Sequence, residues 1–524
     1  MPSSLTKKIA LYVLAGLVSL TLLALGYVHV RAEDWVADFL QRKIPTHINL
    51  EYDHIQTNIL NGSITITNVE MAIKDRDSLK LHTTIQLNSI SLIDLEYGPF
   101  FLKDNIVVSQ LDVDKPEVNY YISKDYPQKK KERQGVVSLL KTIEVEKLKV
   151  VEGVLTVHKN DSTTLKAASI NFEANHIQTS PEQIKKRIPV TYGSYDLDIR
   201  EVFVDLGAYE KLTVKELKFH DGNVRVEDLT LASKYDRQKL SEFIPVERDY
   251  VNLKIPEIQL DSIEVSFIGD SLSVTTGNGK IINPIAEIYR DKLVKDDVSQ
   301  KKLYSQMLRE LPLYLHVPKV EIEQGNLTYS EKIKEGVPPG MVSFHDLNAT
   351  IAQVNNKVKY DGVTDINAKA LLMGHAPIEL NWQFDVTNKN DAFLASGIVK
   401  DFKSNTLNSF LESSLRAKAQ GTIDRLYFTI SADGHSSTGD IKMKYDDFEF
   451  AVLKKDRLGV NKFLTFLGNL FVNDGSKSDA QGFRYGSIEV QRDPTKSFFN
   501  YLWINVQDGM VNTMLGRGKK EDAE

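Results

Sequence analysis

The sequence predicts a mainly β protein, built as an elongated and curved antiparallel sheet with a few helices and one N-terminal transmembrane helix. Three observations predict it. Apolar and polar residues alternate over most of the chain, a pair of short strands around a glycine or polar turn recurs, and an apolar run with no acidic or basic residue except His29 fills residues 9–30. Strict alternation gives each strand one apolar and one polar face. An apolar face must be covered by another layer or by a ligand.

The composition is that of a folded protein and narrows the classes of function. The chain has 524 residues, of which 42% are hydrophobic and 26% charged, and its net charge is −6. These values exclude wholesale disorder and give no electrostatic footprint for nucleic acid. Cysteine is absent, which excludes thiol catalysis, Cys-ligated zinc and disulfides. We expect no cofactor.

The run at residues 9–30 is long enough to cross a bilayer as a helix. Two lysines precede it, so the positive-inside rule leaves residues 1–8 in the cytoplasm and exports the rest of the chain. A cleaved signal peptide is the alternative, since residues 24–26 and 30–32 resemble processing sites. The run is longer than the apolar region of a typical signal peptide, which favours an uncleaved anchor.

The exported body divides into four predicted segments. Residues 31–280 are expected to form N-terminal β repeats, residues 281–312 a helical insertion and residues 313–495 a C-terminal β region. Residues 496–524 are expected to form an amphipathic helix and a polar tail. A further short helix is predicted at residues 404–415.

The repeated unit is a strand, a turn and a second strand. It occurs at residues 55–66, 148–157, 217–226 and 320–329, with a degenerate copy at 258–267. Stacked units of this kind present one continuous apolar face. The residues predicted to line it as a lipid groove are Ile64, Ile66, Val69, Met71, Leu155, Val157, Ile322, Leu327, Leu426, Phe428, Ile430, Ile441 and Met443.

The C-terminal helix has an apolar side that allows two interpretations. It either covers the end of a β-sheet core or lies in a membrane interface, where Trp and Phe are favoured. Gly509 weakens the prediction of a helix, because glycine is unfavourable in helix interiors. The candidate interfacial residues are Phe499, Leu502, Trp503, Val506 and Met510.

The motifs of known catalytic and metal sites are not found in the sequence. Residues 434–439 have the wrong spacing for a nucleophile elbow and are predicted to be a hairpin turn. The histidines are scattered, which predicts no metal site. Asp446 and Asp447 would point to opposite faces of a strand. We therefore expect no enzyme, although a glycosidase needs no local signature for its two carboxylates.

Several segments resemble the AsmA family of envelope proteins. The anchor followed by residues 61–69 and 113–120 is similar to that family. Residues 326–329, 344–350, 445–448 and 498–503 are similar to its large Bacteroidetes members. The resemblance implies an inner-membrane anchor and a periplasmic body. Larger, TamB-like relatives are built as repeating β-grooves implicated in phospholipid passage to the outer membrane.

The resemblance favours one function and leaves others open. It implies an inner-membrane-anchored periplasmic protein that shields lipid acyl chains in a hydrophobic β-groove, in support of lipid transport or outer-membrane assembly. Its partners would be phospholipid or a similar membrane lipid, the inner membrane and an outer-membrane or envelope protein. The alternatives are an envelope scaffold that carries no lipid and a periplasmic hydrolase. The residues alone are equally compatible with an open groove and a closed core.

Overall fold

The protein is mainly β, as predicted, with 61% of strand and 14% of helix. The alternating pattern of the sequence therefore reports real strands, most of them paired antiparallel. The computed structural model describes residue 19 and residues 31–38, 40–42, 44–75, 78–102, 105–122, 141–160, 162–356, 362–415, 417–452 and 478–516.

The predicted transmembrane helix at residues 9–30 lies outside the described residues, apart from residue 19. Among the residues that the structure does describe, no helix is both long enough and apolar enough to cross a membrane. The anchor and the orientation that follows from it remain predictions. The polar tail after residue 516 also lies outside the described part of the chain.

The chain divides into two compact units, and the division falls within one strand, β10 (Glu210–His220). Unit 1 consists of Met1–Asp205 and Val214–Asp221. Unit 2 consists of Leu206–Thr213 and Gly222–Glu524.

Among its described residues, unit 1 holds nine complete strands, helical residues at 31–38 and 40–42, a short helix α1 (Tyr97–Leu102) and a 3-10 turn (Gln183–Lys185). Neighbouring strands pair antiparallel, except that β5 and β6 both run parallel to β7. The strands are β1 (Ile48–Glu51), β2 (His54–Asn58), β3 (Ser63–Lys74), β4 (Leu81–Leu95), β5 (Asn105–Asp114), β6 (Glu117–Ile122), β7 (Thr142–Lys159), β8 (Ser162–Thr179) and β9 (Tyr195–Asp205).

Unit 2 holds the remaining strands, and from β17 to β24 each pairs antiparallel with the next. They are β11 (Asn223–Ser233), β12 (Asp249–Leu260), β13 (Glu264–Ile268), β14 (Ser271–Thr275), β15 (Asn278–Ile282), β16 (Ile285–Asp291), β17 (Tyr314–Lys332), β18 (Gly340–Asn355), β19 (Val363–Leu372), β20 (Ala376–Asp385), β21 (Phe393–Lys403), β22 (Ala417–Ala432), β23 (Ser436–Val452) and β24 (Arg484–Gln491).

The helical segments of unit 2 are short except for the last one. They are α2 (Arg237–Phe243), α3 (Tyr304–Arg309), a 3-10 turn (Ser404–Leu407), α4 (Asn408–Phe410), a π-helical turn (Leu411–Leu415) and α5 (Phe498–Leu515). Both ends of α5 are capped. The Ser497 hydroxyl accepts a hydrogen bond from Asn500 N, and Gly516 ends the helix in the left-handed conformation.

The long strands bend at bulges where the apolar alternation changes phase. In β7 the apolar residues Leu148 and Val150 precede the bulge, and Leu155 and Val157 follow it one residue out of phase. The residue at the bulge, Glu152, has a φ of 52°. The register with β8 shifts by one residue at Gly153 and returns by Leu155, so both strands change phase together and the apolar side chains on both sides of the bulge stay on one face of the sheet.

The same bulge recurs in β17, and its hydrogen bonds repeat those of β7. Val154 N donates to Pro116 O over 2.7 Å in unit 1, and Asn326 N donates to Pro284 O over 2.8 Å in unit 2. An asparagine on the next strand accepts from the left-handed residue in both: Glu152 N to Asn171 Oδ1, and Gln324 N to Asn348 Oδ1, each over 3.1 Å. Strands β3 to β8 of unit 1 thus correspond, in that order, to β11, β12, β15, β16, β17 and β18 of unit 2. This correspondence is an internal structural repeat.

Three predictions of local structure are corrected or confirmed here. The repeats at 148–157 and 320–329 were predicted as hairpins but each lies within a single strand, because the glycine follows a left-handed residue in a bulge. Residues 281–312 were predicted to be helical, yet Ile285–Asp291 form β16 and the only helix described there is α3. The predicted hairpin turn at 434–439 is confirmed in position, since β22 ends at Ala432 and β23 begins at Ser436.

Replacing Asn348 by alanine tests the role of the bulge. Its side chain accepts from Gln324 N and donates to Asp346 O, and the variant loses both bonds. We expect Asn348→Ala to lower the free energy of unfolding by about 1 kcal/mol, measured by urea denaturation. Asn367→Ala on the neighbouring strand is the control, because Asn367 bonds to other exposed side chains. Equal losses in the two variants would contradict a special role for the bulge.

Candidate functional site

In unit 1 aliphatic side chains line up across six strands, β3, β4, β5, β7, β8 and β9. Two adjacent rows follow directly from the register of the strands. The first row is Ile64, Leu92, Leu111, Leu148, Ala174 and Tyr195. The second row is Ile66, Ile90, Val113, Val150, Phe172 and Leu197.

Beyond the bulges a third row continues this apolar face of unit 1. It consists of Met71, Ile85, Val118, Leu155 and Ala167. Across the three rows only the two alanines are buried, and the larger side chains are half-buried. Sheet faces that form a closed core normally bury such side chains, so this face is accessible from one side.

Two corresponding rows cross eleven strands in unit 2. The first is Val224, Leu260, Gly279, Val320, Ile351, Ile366, Trp382, Ala395, Ile430, Gly439 and Ile488. The second is Val226, Ile258, Ile281, Ile322, Ala349, Ala368, Leu380, Gly397, Phe428, Ile441 and Gly486.

The burial of the side chains in these rows of unit 2 increases from β11 to β24. From β11 to β19 the aliphatic side chains are mostly half-buried, as in unit 1. From β20 onwards most are buried, and Ile430, Ile441 and Ile488 are among the least exposed residues of the chain. The closed part belongs to the main hydrophobic cluster of unit 2, which also includes α5 and the 404–415 segment.

Helix α5 covers the closed part with a stripe of mixed polarity. The buried residues of the helix are Phe498, Tyr501, Asn505, Gly509 and Thr513. Asn505 is fully buried, and a hydrogen bond of 2.7 Å joins its Oδ1 to the Ser437 hydroxyl on β23. A Cβ at Gly509 would lie 2.7 Å from Ile441 Cγ2 and 2.9 Å from Ile488 Cγ1, so the glycine allows the helix to approach the sheet closely.

Side chains of the same helix also form hydrogen bonds with backbone groups at the edge of β24. Asp508 Oδ2 accepts a hydrogen bond from Glu489 N over 3.0 Å, and Asn512 Nδ2 donates to Ser487 O over 2.9 Å. These backbone groups would otherwise offer hydrogen bonds to a further strand. Side chains of α5 therefore occupy two of the backbone groups that an added strand would use at this edge.

The predicted interfacial residues of α5 do not form its buried stripe. Phe499 is 59% exposed, and the other four are half-buried and pack beside the cluster. The prediction of a helix is confirmed, and the helix covers the end of a β-sheet core. Gly509, which weakened that prediction, is explained by the close approach of the helix to the sheet.

The predicted groove residues fall into two groups. Those on β22 and β23 lie in the closed core under α5: Leu426, Phe428, Ile430, Ile441 and Met443. Most of the others lie on the accessible rows and are half-buried: Ile64, Ile66, Met71, Leu155, Val157, Ile322 and Leu327. Val69, beside the bulge residue Asn68 of β3, is 6% exposed.

The apolar face of unit 2 ends in a polar rim. Arg290 donates to both carboxylate oxygens of Asp249, over 2.7 and 2.8 Å. Burial and the nearby Glu331 raise the pKa of Tyr329, so its hydroxyl stays protonated and donates to Glu331 over 2.9 Å. An aliphatic centre beside a charged rim matches the division of a lipid into acyl chains and a head group.

Other features of the described residues give no catalytic site. A cavity of about 620 Å³ lies across β17 to β22 and is lined largely by polar side chains such as Asn367, Lys369 and Asn381. Within the described ranges, no group of three His, Asp or Glu side chains is placed to hold a metal ion. Neither the known protein families nor the curated proteins include a match to this chain.

A larger residue at position 509 tests the close packing of α5. We expect Gly509→Leu to lower the free energy of unfolding by about 1–3 kcal/mol, because the new leucine side chain would overlap Ile441 and Ile488. Val511→Leu on the exposed side of the same helix is the control and is expected to stay within about 0.5 kcal/mol. Urea unfolding followed by circular dichroism measures both, and an unchanged Gly509→Leu midpoint would contradict the packing.

Proposed function

We propose that this protein shields lipid acyl chains on its accessible apolar rows, in support of lipid transport or outer-membrane assembly. The observation that carries the proposal is the alignment of half-buried aliphatic side chains over six strands of unit 1. With strands about 4.8 Å apart, six strands span roughly 24 Å, which is comparable to an extended acyl chain. Each methylene removed from water contributes about 0.8 kcal/mol.

The contrast within unit 2 supports the same function. Where the rows are closed, α5 and the 404–415 segment cover them, whereas the aliphatic side chains from β11 to β19 stay mostly half-buried. A permanent core would not leave aliphatic rows half-exposed over so many strands. The polar rim at Arg290 and Asp249 provides hydrogen-bonding groups beside the apolar surface.

The cellular setting belongs to the same proposal. The apolar run at residues 9–30 would anchor the protein in the inner membrane with its body in the periplasm, as the resemblance to the AsmA family implies. A single helix would then hold the apolar rows next to a source of lipid. Proteins of the outer membrane or envelope are the proposed partners.

Photo-crosslinking at two adjacent positions tests the binding of acyl chains. Leu148 belongs to the first apolar row, whereas Lys149 points to the opposite face and is exposed. We expect p-benzoyl-phenylalanine at position 148 to form crosslinks with lipid in cells, and the same group at position 149 to form at least tenfold fewer. Mass spectrometry of the purified adducts identifies the lipid.

Two outcomes would overturn the proposal. Crosslinks of equal yield at both positions would indicate nonspecific membrane contact. Crosslinks to a protein alone at position 148 would favour the envelope scaffold that carries no lipid. The pair is informative because the two side chains differ by one residue and occupy opposite faces of one strand.

A charge on the apolar face is expected to release the lipid. Ile66→Asp places a carboxylate in the second row, and burying that charge beside an acyl chain is unfavourable. We expect it to lower the phospholipid that co-purifies with the full-length protein at least fivefold. Thr65→Asp, on the opposite face of the same strand, is the control. Thermal unfolding checks that both variants fold, and equal lipid in the two folded variants would contradict the proposal.

A further inference from the structure

Two turns of unit 1 present the most exposed leucines among its described residues. Leu60, in the turn between β2 and β3, is 86% exposed, and Leu102, at the end of α1, is 84% exposed. Large aliphatic side chains at the tips of turns usually fold back onto the protein. An exposed pair on neighbouring turns indicates a surface that meets an apolar partner.

Specific hydrogen bonds hold the two turns together. Asn58 Oδ1 accepts from Leu60 N over 3.1 Å and fixes the turn with Leu60 at its tip. The Tyr97 hydroxyl, in the first turn of α1, donates to Ile59 O over 2.8 Å. Leu95 N donates to Gly62 O over 3.0 Å. The leucines are therefore displayed by an ordered structure.

The turn that carries Leu60 differs in charge from the turn at the opposite end of β3. Residues 55–69 contain no charged residue, and residues 97–102 of α1 contain none, with Glu96, Lys103 and Asp104 directly beside them. The turn between β3 and β4 contains four charged residues, at positions 75, 76, 77 and 80, around Leu79, which is 65% exposed. Bringing a charged side chain into a bilayer is costly, and the turn at 59–62 would bring none.

The uncharged turns are continuous with the apolar face. The turn at 59–62 leads directly into β3, where Ile64 begins the first row, and α1 lies between β4 and β5, which carry Leu92 and Leu111. An acyl chain on these rows would therefore have this end of unit 1 beside it. A flat protein partner would be expected to bury a broad surface rather than two protruding tips.

We propose that the turn at 59–62 and helix α1 insert Leu60 and Leu102 into the interfacial region of a lipid bilayer. Tyr97 is suited to that region, because its ring is apolar and its hydroxyl is polar. This contact places the end of the apolar rows at the membrane, where acyl chains enter or leave. The inference deepens the proposed function by naming where lipid is exchanged.

The absence of native cysteine allows a direct test on the full-length chain. Leu60→Cys, Leu102→Cys and Leu79→Cys are each labelled with an environment-sensitive nitrobenzoxadiazole dye. The labelled proteins are reconstituted into vesicles of phosphatidylethanolamine and phosphatidylglycerol containing a nitroxide-labelled phospholipid. We expect the nitroxide to quench the dyes at positions 60 and 102 at least twofold more than the dye at position 79.

The remaining outcomes overturn the inference. Equal quenching at position 79 would show general proximity of unit 1 to the bilayer. Dyes at positions 60 and 102 that are shielded from aqueous iodide but not quenched by the lipid nitroxide would show that a protein, such as a second copy, covers them. Failure here is separate from failure of the proposed function, because crosslinking of acyl chains at position 148 is measured independently.

Discussion

The structure depends on one constraint, which is that a strand with a bulge must change the phase of its alternation to keep a single apolar face. In β7 and β17 the change occurs at Glu152 and Gln324, which adopt the left-handed conformation that most side chains avoid. Asn171 and Asn348 stabilise it by accepting a hydrogen bond from the backbone of the bulge. The sequence encodes this phase change, and for that reason the apolar rows continue on both sides of the bulge in these strands.

The apolar rows have two different environments in one chain. In unit 1 and in the first part of unit 2 they are half-buried, whereas from β20 onwards α5 closes them. The helix achieves this with two aromatic residues near its start, Phe498 and Tyr501, and with the small or polar residues Asn505, Gly509 and Thr513 along the rest of the stripe. Within unit 2, the half-buried rows and the closed core are therefore neighbouring parts of the same sheet face, and covering by α5 distinguishes them.

The sequence predicted the strands better than their connections. Alternation predicted the β class, and the apolar pattern of residues 496–515 predicted α5. Gly153 and Gly325 were misinterpreted as hairpin turns, because a glycine after a polar residue also describes the true turn at Asn61 and Gly62. The distinguishing signal was the phase of the alternation, which changes by one residue at each bulge. Whether α5 covers the rows depends on contacts between distant segments, which local patterns do not encode.

The internal repeat has a consequence for how such a chain could grow. Each copy carries its own bulges, its own proline and its own capping asparagine, so a duplicated copy would bring every local contact that it needs. At the edge of β24, Asp508 and Asn512 of α5 already bond to Glu489 N and Ser487 O, two of the backbone groups that a further strand would use. Tandem duplication inside the gene would therefore lengthen the sheet in steps of whole copies, by about 4.8 Å for every strand added. Strand β24 and helix α5 would stay unchanged.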